Sequence, residues 1–205
     1  DDQVGKVLQA LGDSRYVDNT IVLLWCDRGQ NRGEKKHWRK QSLWEESTRV
    51  PLFVKVPGHD SAGRESDRVV SLLDVYPTLA DLCGLPVPTK LEGQSLAPLL
   101  ENPERSWERP VLSTWYYRNH AVRSENWRYI RYRDGSEELY DHRTDSGEHI
   151  NLAFDPAYAS VIANHRQWLP LTDALPAGTT EWKPDKLDRR VEAWRADDSV
   201  PDWLQ

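Results

Sequence analysis

An acidic residue and a run of basic residues follow one apolar stretch of this sequence. The stretch TIVLLW, at 20–25, leads through Cys26 to Asp27, and residues 28–40 then contain six basic residues: Arg28, Arg32, Lys35, Lys36, Arg39 and Lys40. A carboxylate fixed at the end of a strand can bind a divalent cation, although calcium and magnesium require several oxygen ligands. The alternative is that Asp27 caps the loop by accepting backbone N–H groups. Both interpretations remain open.

The basic loop also has two interpretations. A run of charge is usually solvated surface, but Gly29 and Gly33 allow close backbone approach, and His37 and Trp38 are unusual in a loop that is merely wet. Arginine, through its planar fork, and lysine, as a point charge, together hold tetrahedral oxyanions such as sulfate or phosphate. The pattern therefore indicates an oxyanion site beside a candidate metal ligand, with a solvated basic surface as the alternative.

Two apolar runs must position this loop. Residues 20–25 and the run VPLFVKVPG at 50–58 are continuous rather than alternating, which is typical of strands covered on both faces in a parallel sheet. In open α/β sheets, ligands bind at the carboxyl ends of the strands, where the basic loop begins. The first half of the chain is therefore predicted to be α/β.

Helices are predicted on both sides of these strands. Residues 1–13 carry an apolar face with helical spacing, and residues 66–85 read as a helix capped by Ser66 and ended by Gly84, with a break at Pro77. A short helical turn is expected around SLAPLL.

The pattern changes after Pro110. The segments VLSTWYYR, HAVRSENWRYIRYR and EELYDH alternate apolar and polar residues, with turn signals at Asn119 and at Asp134–Gly135, which predicts an antiparallel meander with one wet face. A helix at roughly 156–169 follows, and then a Trp-containing tail without an assignment. We divide the chain into 1–109 and 110–205.

Composition excludes several classes. A net charge of -6 and a pI near 5.5 argue against a general nucleic-acid or anionic-membrane binder. No run approaches the roughly 20 apolar residues of a membrane span, so a soluble globular chain is expected. The two cysteines, Cys26 and Cys83, are predicted to be buried small hydrophobes. Neither an initiator Met nor a signal peptide is present, and the sequence opens as if within a helix, which suggests a piece of a longer protein and names no compartment.

The run DRGQNRGEKKHWRKQSLWEESTRVPLFVKVPG is similar to the sulfatase family, especially its iduronate-2-sulfatase-like and choline-sulfatase-like members. Further segments agree in order: DNTIVLLW, VVSLLDVYPTLADLCGLP, LEGQSLAPLL, AVRSENWRYIRY and ELYDHRTDSGEHINLA. The resemblance covers roughly residues 1–153.

The resemblance implies an alkaline-phosphatase-like α/β fold that hydrolyses sulfate esters. Residues 1–109 would be the C-terminal part of a mostly parallel sheet with helices, and 110–205 a small antiparallel α+β subdomain with the Trp-rich tail. It also implies a calcium ion and a formylglycine nucleophile made from the Cys of a Cys-x-Pro-x-Arg motif. Calcium, Lys and His would neutralise charge on the sulfate oxygens.

Carried over by position, Asp27 matches the calcium-ligand Asp, and Lys40 matches the Lys that contacts the sulfate. His37 and Arg28 are further candidates for substrate binding, and Arg49 matches a framework residue expected to be salt-bridged. Arg28 stands where the family has His or Asn, and a guanidinium has only donors, so it cannot ligate a cation. It would grip the sulfate, replace the charge of a lost metal, or mark a damaged site.

The sequence contains no Cys-x-Pro-x-Arg motif, so no catalytic nucleophile is expected in it. The leading hypothesis is a sulfatase-like hydrolase of a sulfated sugar or small sulfate ester, of which this chain supplies the second half of the active site. The alternatives are a non-catalytic sulfatase-like binding module and a phosphate mono- or diester hydrolase of the same superfamily.

Partners and specificity are expected to depend on the second half of the chain. The region of Tyr116, Arg118 and His120 is a candidate for substrate selection, with strand-face residues as the alternative. The tail residues Trp168, Trp182, Trp194 and Trp203 would dock on the missing N-terminal half or form a homo-oligomer contact.

Overall fold

The computed structural model describes residues 1–60, 62–175 and 181. The helices of this part of the chain are α1 Asp2–Gly12, α2 Glu45–Thr48, α3 Val75–Leu82, α4 Ala97–Glu101 and α5 Ala159–Arg166. Its strands are β1 Val22–Trp25, β2 Asn31–Arg32, β3 Trp38–Arg39, β4 Leu52–Lys55, β5 Val111–Thr114, β6 His120–Arg123, β7 Trp127–Arg131 and β8 Glu137–Asp141. Among these described helices, none combines the length and apolarity needed to span a bilayer.

The two apolar runs of the first half form strands, but not the parallel strands that were predicted. β1 and β4 pair with each other in antiparallel register, from Val22 opposite Lys55 to Trp25 opposite Leu52. They are also not covered on both faces, since Trp25 and Phe53 are exposed. Strand direction is decided by which strands become neighbours, and an unbroken apolar run does not contain that information.

The meander of the second half is confirmed. β5, β6, β7 and β8 pair in sequence order, each antiparallel to the next. The turn at Asp134–Gly135 is present, with Gly135 at a φ of 86°, and a further turn separates β6 from β7.

The expectation of one wet face is wrong, because the inner strands of this sheet are covered on both faces. One core contains Ala121, Ile130 and Tyr140 with Leu43 from the first half of the chain. The other contains Val122, Tyr129, Leu139 and Ile162, the last from α5. Successive side chains along the inner strands therefore point alternately into the two cores, and not alternately into a core and into solvent.

The helix predicted at 66–85 begins later than Ser66. Ser71 and Asp74 form a capping box around a 3₁₀ turn at Leu72–Asp74, and α3 follows directly. Pro77 lies in the first turn of α3, where its missing N–H breaks no helical hydrogen bond. The helix ends before Gly84, as predicted, at a φ of 64°.

Both cysteines were predicted to be buried, and neither is fully buried. Cys83 follows the last residue of α3 and is exposed, whereas Cys26 is half-buried. Apolar spacing does not identify the buried face of this segment, because Leu73 and Tyr76 are exposed whereas Pro77, Thr78 and Ala80 of α3 are buried.

The first helix is confirmed as α1, but its apolar face is unburied. Val7 and Leu8 are 69% and 45% exposed, and none of the residues of α1 is buried. The tail residues Trp182, Trp194 and Trp203 lie outside the described residues, and Trp168 is exposed just after α5.

A buried carboxylate organises the middle of the chain. Asp74 is fully buried, and both of its oxygens lie 2.6 Å from Nη2 of Arg109. The backbone N–H groups of Ser71 and Gln94 also donate to it, at 2.8 and 2.9 Å. One side chain thus joins the capping box to two later loops.

We expect Asp74→Ala to lower the free energy of unfolding by about 3 kcal/mol, because it leaves a guanidinium and two backbone N–H groups without their acceptor. Urea unfolding at neutral pH measures the change. Asp81→Ala is the matched control, since Asp81 is exposed and its carboxylate accepts one hydrogen bond among the described residues, from Ser95. Equal effects of the two substitutions would contradict the anchoring role of Asp74.

Candidate functional site

The basic loop folds into a short hairpin. Asn31 pairs with Arg39 and Arg32 pairs with Trp38. The turn requires Gly33, which has a φ of 118° and whose added Cβ would lie 3.2 Å from the Trp38 ring. The indole of Trp38 in this hairpin is 69% exposed.

Two of the predicted site residues lie where β1 ends. The side chain of Asp27 is 82% exposed, and its carboxylate lies 4.0 Å from Nε of Arg28. The Cys26 thiol donates to the backbone carbonyl of Arg28 at 3.0 Å. The described residues thus place one carboxylate and one guanidinium here, which does not by itself match the six to eight oxygens that calcium takes.

The other two predicted residues lie at the end of the hairpin. His37 packs its ring edge-on against Trp44, with 5.8 Å between the centroids, and its Nε2 lies 3.4 Å from the carbonyl oxygen of Lys40. Lys40 is exposed, and no hydrogen bond or ion pair within the described part of the chain engages its ammonium. The structure therefore joins Asp27 to Arg28 and His37 to Lys40.

Arg28 also lines an open cleft where the 26–30 segment crosses α2. The crossing is close, because the N–H of Gly29 donates to the carbonyl of Ser47 at 2.9 Å and a Cβ on Gly29 would lie 2.0 Å from the carbonyl oxygen of Glu46. The residues that line the cleft are Cys26, Arg28, Gly29, Gln30, Arg32, Glu34, Glu46 and Arg49.

Arg49 was expected to be a salt-bridged framework residue. Its backbone N–H donates to the carbonyl of Glu45 at 2.8 Å, which closes α2. Arg49 is, however, exposed and lines the open cleft, and no ion pair of Arg49 is present among the described residues. The sequence shows that position 49 is an arginine, but it does not show which carboxylate would pair with it.

Lys35, which sequence reasoning treated only as part of the charge run, is held against the second half of the chain. Its Nζ donates to the Tyr140 hydroxyl at 2.8 Å and lies 4.1 Å and 5.0 Å from the ring centroids of Tyr140 and Trp44. Burial lowers the pKa of Lys35, and Glu138 and Glu148 oppose that shift. Burial and the nearby Glu138 raise the pKa of Tyr140.

A buried ion-pair network joins α2 to the four-stranded sheet. Arg128, 2% exposed on β7, contacts Glu45 through Nη2 and lies 2.6 Å from Oε1 of Glu148 through Nε. Its Nη1 donates to the carbonyl of Leu43 at 2.9 Å. Oε2 of Glu148 accepts the N–H of Glu45, the first residue of α2, at 3.0 Å, so this carboxylate also lies at the positive end of α2.

Two further residues complete the network. Nε2 of His142 lies 2.9 Å from Oε1 of Glu148, and Nη2 of Arg123 lies 3.0 Å from Nδ1 of His142. Burial alone would raise the pKa of Glu45, but Arg128 and Arg123 outweigh it and lower that pKa below its ordinary value.

This network contains three side chains of metal-ligand type. Glu45, His142 and Glu148 place ligand atoms within 4.8 Å of one another. The two carboxylates already face the guanidiniums of Arg123 and Arg128, which would have to be displaced by a cation. The arrangement is therefore an ion-pair network and not a metal centre. The feature of the sequence that could have revealed this network is Arg128. It is a charged residue at a position of β7 where the alternation of apolar and polar residues places the side chain inward.

The region proposed for substrate selection contains strained backbone and a paired histidine. Tyr116 and Arg118, in the β5–β6 loop, have φ values of 55° and 63°. His120 is buried and binds Thr114 at 2.9 Å through Nδ1 and Asp173 at 2.7 Å through Nε2. His120 thus joins the sheet to the segment after α5, which agrees with the strand-face alternative, while Tyr116 remains exposed.

Comparison with known proteins identifies sulfatases among the relatives of this chain. The family described as N-sulphoglucosamine sulphohydrolase, C-terminal, matches residues 33–173. A sulfatase of Formosa agariphila is 39% identical over 174 residues, which are 85% of this chain and 34% of that protein. A Delta 4,5-hexuronate-2-O-sulfatase of Bacteroides thetaiotaomicron is 34% identical over 198 residues, covering 91% of this chain and 41% of that protein.

Solved structures agree with this result. A 2-O GAG sulfatase superposes with a TM-score of 0.74 at 35% identity, covering 81% of this chain and 38% of the other. A phosphonate monoester hydrolase of Agrobacterium radiobacter gives 0.71 at 28% identity, with 81% and 37% covered. The chain thus spans less than half the length of each of these proteins.

We expect Arg128→Met to lower the free energy of unfolding by about 3–5 kcal/mol, because it leaves the carboxylates of Glu45 and Glu148 buried without their shared cation. Urea unfolding at pH 7 measures the change. Arg131→Met, at an exposed position of the same strand, is the control and should cost less than about 0.5 kcal/mol. A loss of that small size for Arg128→Met would contradict the importance of the network.

Proposed function

The chain belongs to the sulfatase family and corresponds to its C-terminal portion, and on that premise we propose that it supplies the second half of the active site of a hydrolase of sulfate esters. The observation that carries the proposal is the basic hairpin, which presents Lys40 with its ammonium unengaged by the described residues. Such a side chain can meet an anionic ester without first breaking an ion pair of its own.

The role proposed for the hairpin is electrostatic. In sulfate ester hydrolysis an oxygen nucleophile bonds to sulfur, the bond from sulfur to the alcohol oxygen breaks, and negative charge is redistributed over the oxygens. Lys40 would donate to a sulfate oxygen and stabilise that charge, with His37 beside it. Arg28 would contact the same sulfate or another anionic group of the substrate through its fork.

The nucleophile is proposed to come from residues outside this sequence. No Cys-x-Pro-x-Arg motif occurs in it, so the formylglycine that the family resemblance implies would be contributed by the longer protein. We infer that the 205-residue chain by itself binds the ester and does not hydrolyse it.

A calcium ion is proposed with Asp27 as one ligand. The exposed carboxylate of Asp27 is free to offer an oxygen, but Arg28 lies beside it and repels a cation. Further oxygens would have to come from groups outside the described residues. Calcium bound there would add positive charge near the sulfate, and Asp27 would orient it.

A sulfated saccharide is the substrate class that we propose. The relative from Bacteroides thetaiotaomicron is named for a hexuronate 2-O-sulfate, and the similar solved structure is named as a GAG sulfatase. The exposed indole of Trp38 beside the basic side chains suits a sugar ring that carries anionic groups.

Two alternatives have support of their own. The likeness to a phosphonate monoester hydrolase favours a phosphorus ester, because the same cationic hairpin would bind a phosphonate or phosphate. The presence of Arg28 and the missing nucleophile motif favour a non-catalytic module that binds a sulfated ligand. Activity of the longer protein separates these from the leading proposal.

The partner of the chain is proposed to be the rest of a sulfatase domain, with a homo-oligomer as the alternative. The exposed apolar residues Val7, Trp25 and Phe53 lie on α1, β1 and β4. Covering them would bring further structure next to the end of β1, where Asp27 and Arg28 lie.

In the longer protein that carries the nucleophile, we expect Lys40→Ala to lower kcat/KM for p-nitrophenyl sulfate by about 10²–10³-fold, because the substitution removes a donor to the developing charge. Lys55→Ala, at an exposed position of β4, is the matched control. Sulfate release by the pure 205-residue chain would refute the inferred division of the site. Turnover of p-nitrophenyl phosphate alone would favour the phosphorus ester instead.

Calcium affinity is expected to rise in Arg28→His, because the substitution replaces an obligatory cation with a side chain that can be neutral and can ligate. Isothermal titration of both forms with calcium chloride measures the change, and Arg64→His, at an exposed position outside the basic run of residues 28–40, is the control. Identical affinities of the parent and Arg28→His would show that Arg28 does not limit metal binding.

A further inference from the structure

The loop that presents Lys40 has an unusual backbone. Four residues other than glycine have left-handed φ angles within it: Lys35 at 50°, Lys36 at 56°, Arg39 at 81° and Gln41 at 79°. Side chains other than glycine disfavour this region, so a segment with several such residues needs support from its surroundings. The hairpin pairing of β2 and β3 involves two residue pairs, which is little support by itself.

The support comes from a group of four residues, Lys35, Trp44, Glu138 and Tyr140, which we call the lysine box. The Lys35 ammonium lies over both aromatic rings and donates to the Tyr140 hydroxyl. One oxygen of Glu138 accepts from the Tyr140 hydroxyl at 2.8 Å and from Nε1 of Trp44 at 2.7 Å. Each polar group of the box therefore has a partner. The Tyr140 hydroxyl lies between the Lys35 ammonium, from which it accepts, and the Glu138 carboxylate, to which it donates.

The box is directly connected to the sulfate-binding candidates. Trp44 contacts the ring of His37, and His37 in turn contacts the backbone of Lys40. Glu138 and Tyr140 lie on β8, where Glu138 is half-buried and Tyr140 belongs to one of the two cores of the four-stranded sheet. A rigid element thus holds one end of a strained loop, and the other end carries Lys40.

We propose that Lys35 is a positioning residue, whose ammonium in the lysine box holds residues 33–41 in the conformation that presents Lys40 and His37 to a sulfate. This assignment rests on the proposed function for the role of Lys40. Two lysines of the basic run would then have different roles. Lys35 would fix the loop, and Lys40 would bind the ligand.

The test measures inorganic sulfate binding to the 205-residue chain by NMR, from the side-chain signals of His37 and Lys40. Backbone couplings of residues 36, 39 and 41 report their φ angles in the same samples. Lys35→Met removes the cation and keeps the length of the side chain. It should weaken sulfate binding by about tenfold, the value of a buried cation–π contact, and should abolish the left-handed couplings while the signals of β6 and β7 stay unchanged.

Two substitutions serve as comparisons. Lys35→Arg retains a cation over the rings and should restore most of the affinity and the couplings, whereas Lys55→Met, on exposed β4, should behave as the parent chain. Unchanged couplings and unchanged sulfate affinity in Lys35→Met would overturn the proposal. Failure of Lys35→Arg to recover either property would also count against a role for the cation.

If Lys35→Met does not fold, Tyr140→Phe gives the decision, because it keeps the ring and removes only the hydroxyl between Lys35 and Glu138. It should weaken sulfate binding by about threefold, as the loss of one hydrogen bond would, and parent-like binding and couplings would refute the box. If the parent chain binds no sulfate, the role proposed for Lys40 fails, while the couplings still test the positioning role of Lys35.

Discussion

The ion pairs of the buried Arg128 guanidinium are the interaction on which the rest of the candidate site depends. The guanidinium lies between Glu45 at the start of α2 and Glu148 beyond β8, and it also holds the carbonyl of Leu43. A buried charge is tolerated only when its partners are fixed, so all three segments are constrained together. The helix that follows the basic hairpin therefore has a defined place on the sheet, and so does the hairpin.

The four-stranded sheet is the rigid element behind this arrangement. Its two faces are both covered, one by Leu43 with Trp44 and the other by Ile162 of α5. Lys35 of the basic hairpin and Trp44, which follows the hairpin, both pack on the first of these faces. A loop rich in like charges would otherwise repel itself, and the carboxylates of Glu138 and Glu148 on the sheet side compensate part of that charge. The second half of the chain thus contributes to the candidate site without itself presenting Lys40, the lysine proposed to bind sulfate.

Local patterns predicted most of the elements. The spacing in 1–13 predicted α1, the alternation after Pro110 predicted the meander, and Gly84 and Gly135 marked real turns, since each has a positive φ. Apart from the start of the 66–85 helix and the exposure of Cys83, the errors concern relations between segments. β1 and β4 were expected to be parallel and are antiparallel to each other, and the sheet was expected to have one wet face and has two cores. Strand neighbours and the covering of a face depend on distant residues, which a local pattern does not contain.

The sequence by itself determined the kinds of side chain at the site and their order: a carboxylate at Asp27, a guanidinium at Arg28, and a basic run that ends at Lys40. It also identified the family, because several motifs occur in the order the family requires. Only the tertiary structure decided what each cation does. Lys35 and Lys40 are equivalent in a list of charges, yet Lys35 is half-buried and donates to Tyr140, 105 positions away, whereas Lys40 is exposed. The reason is that burial and pairing are properties of contacts between distant segments, and the charge of a residue does not specify them.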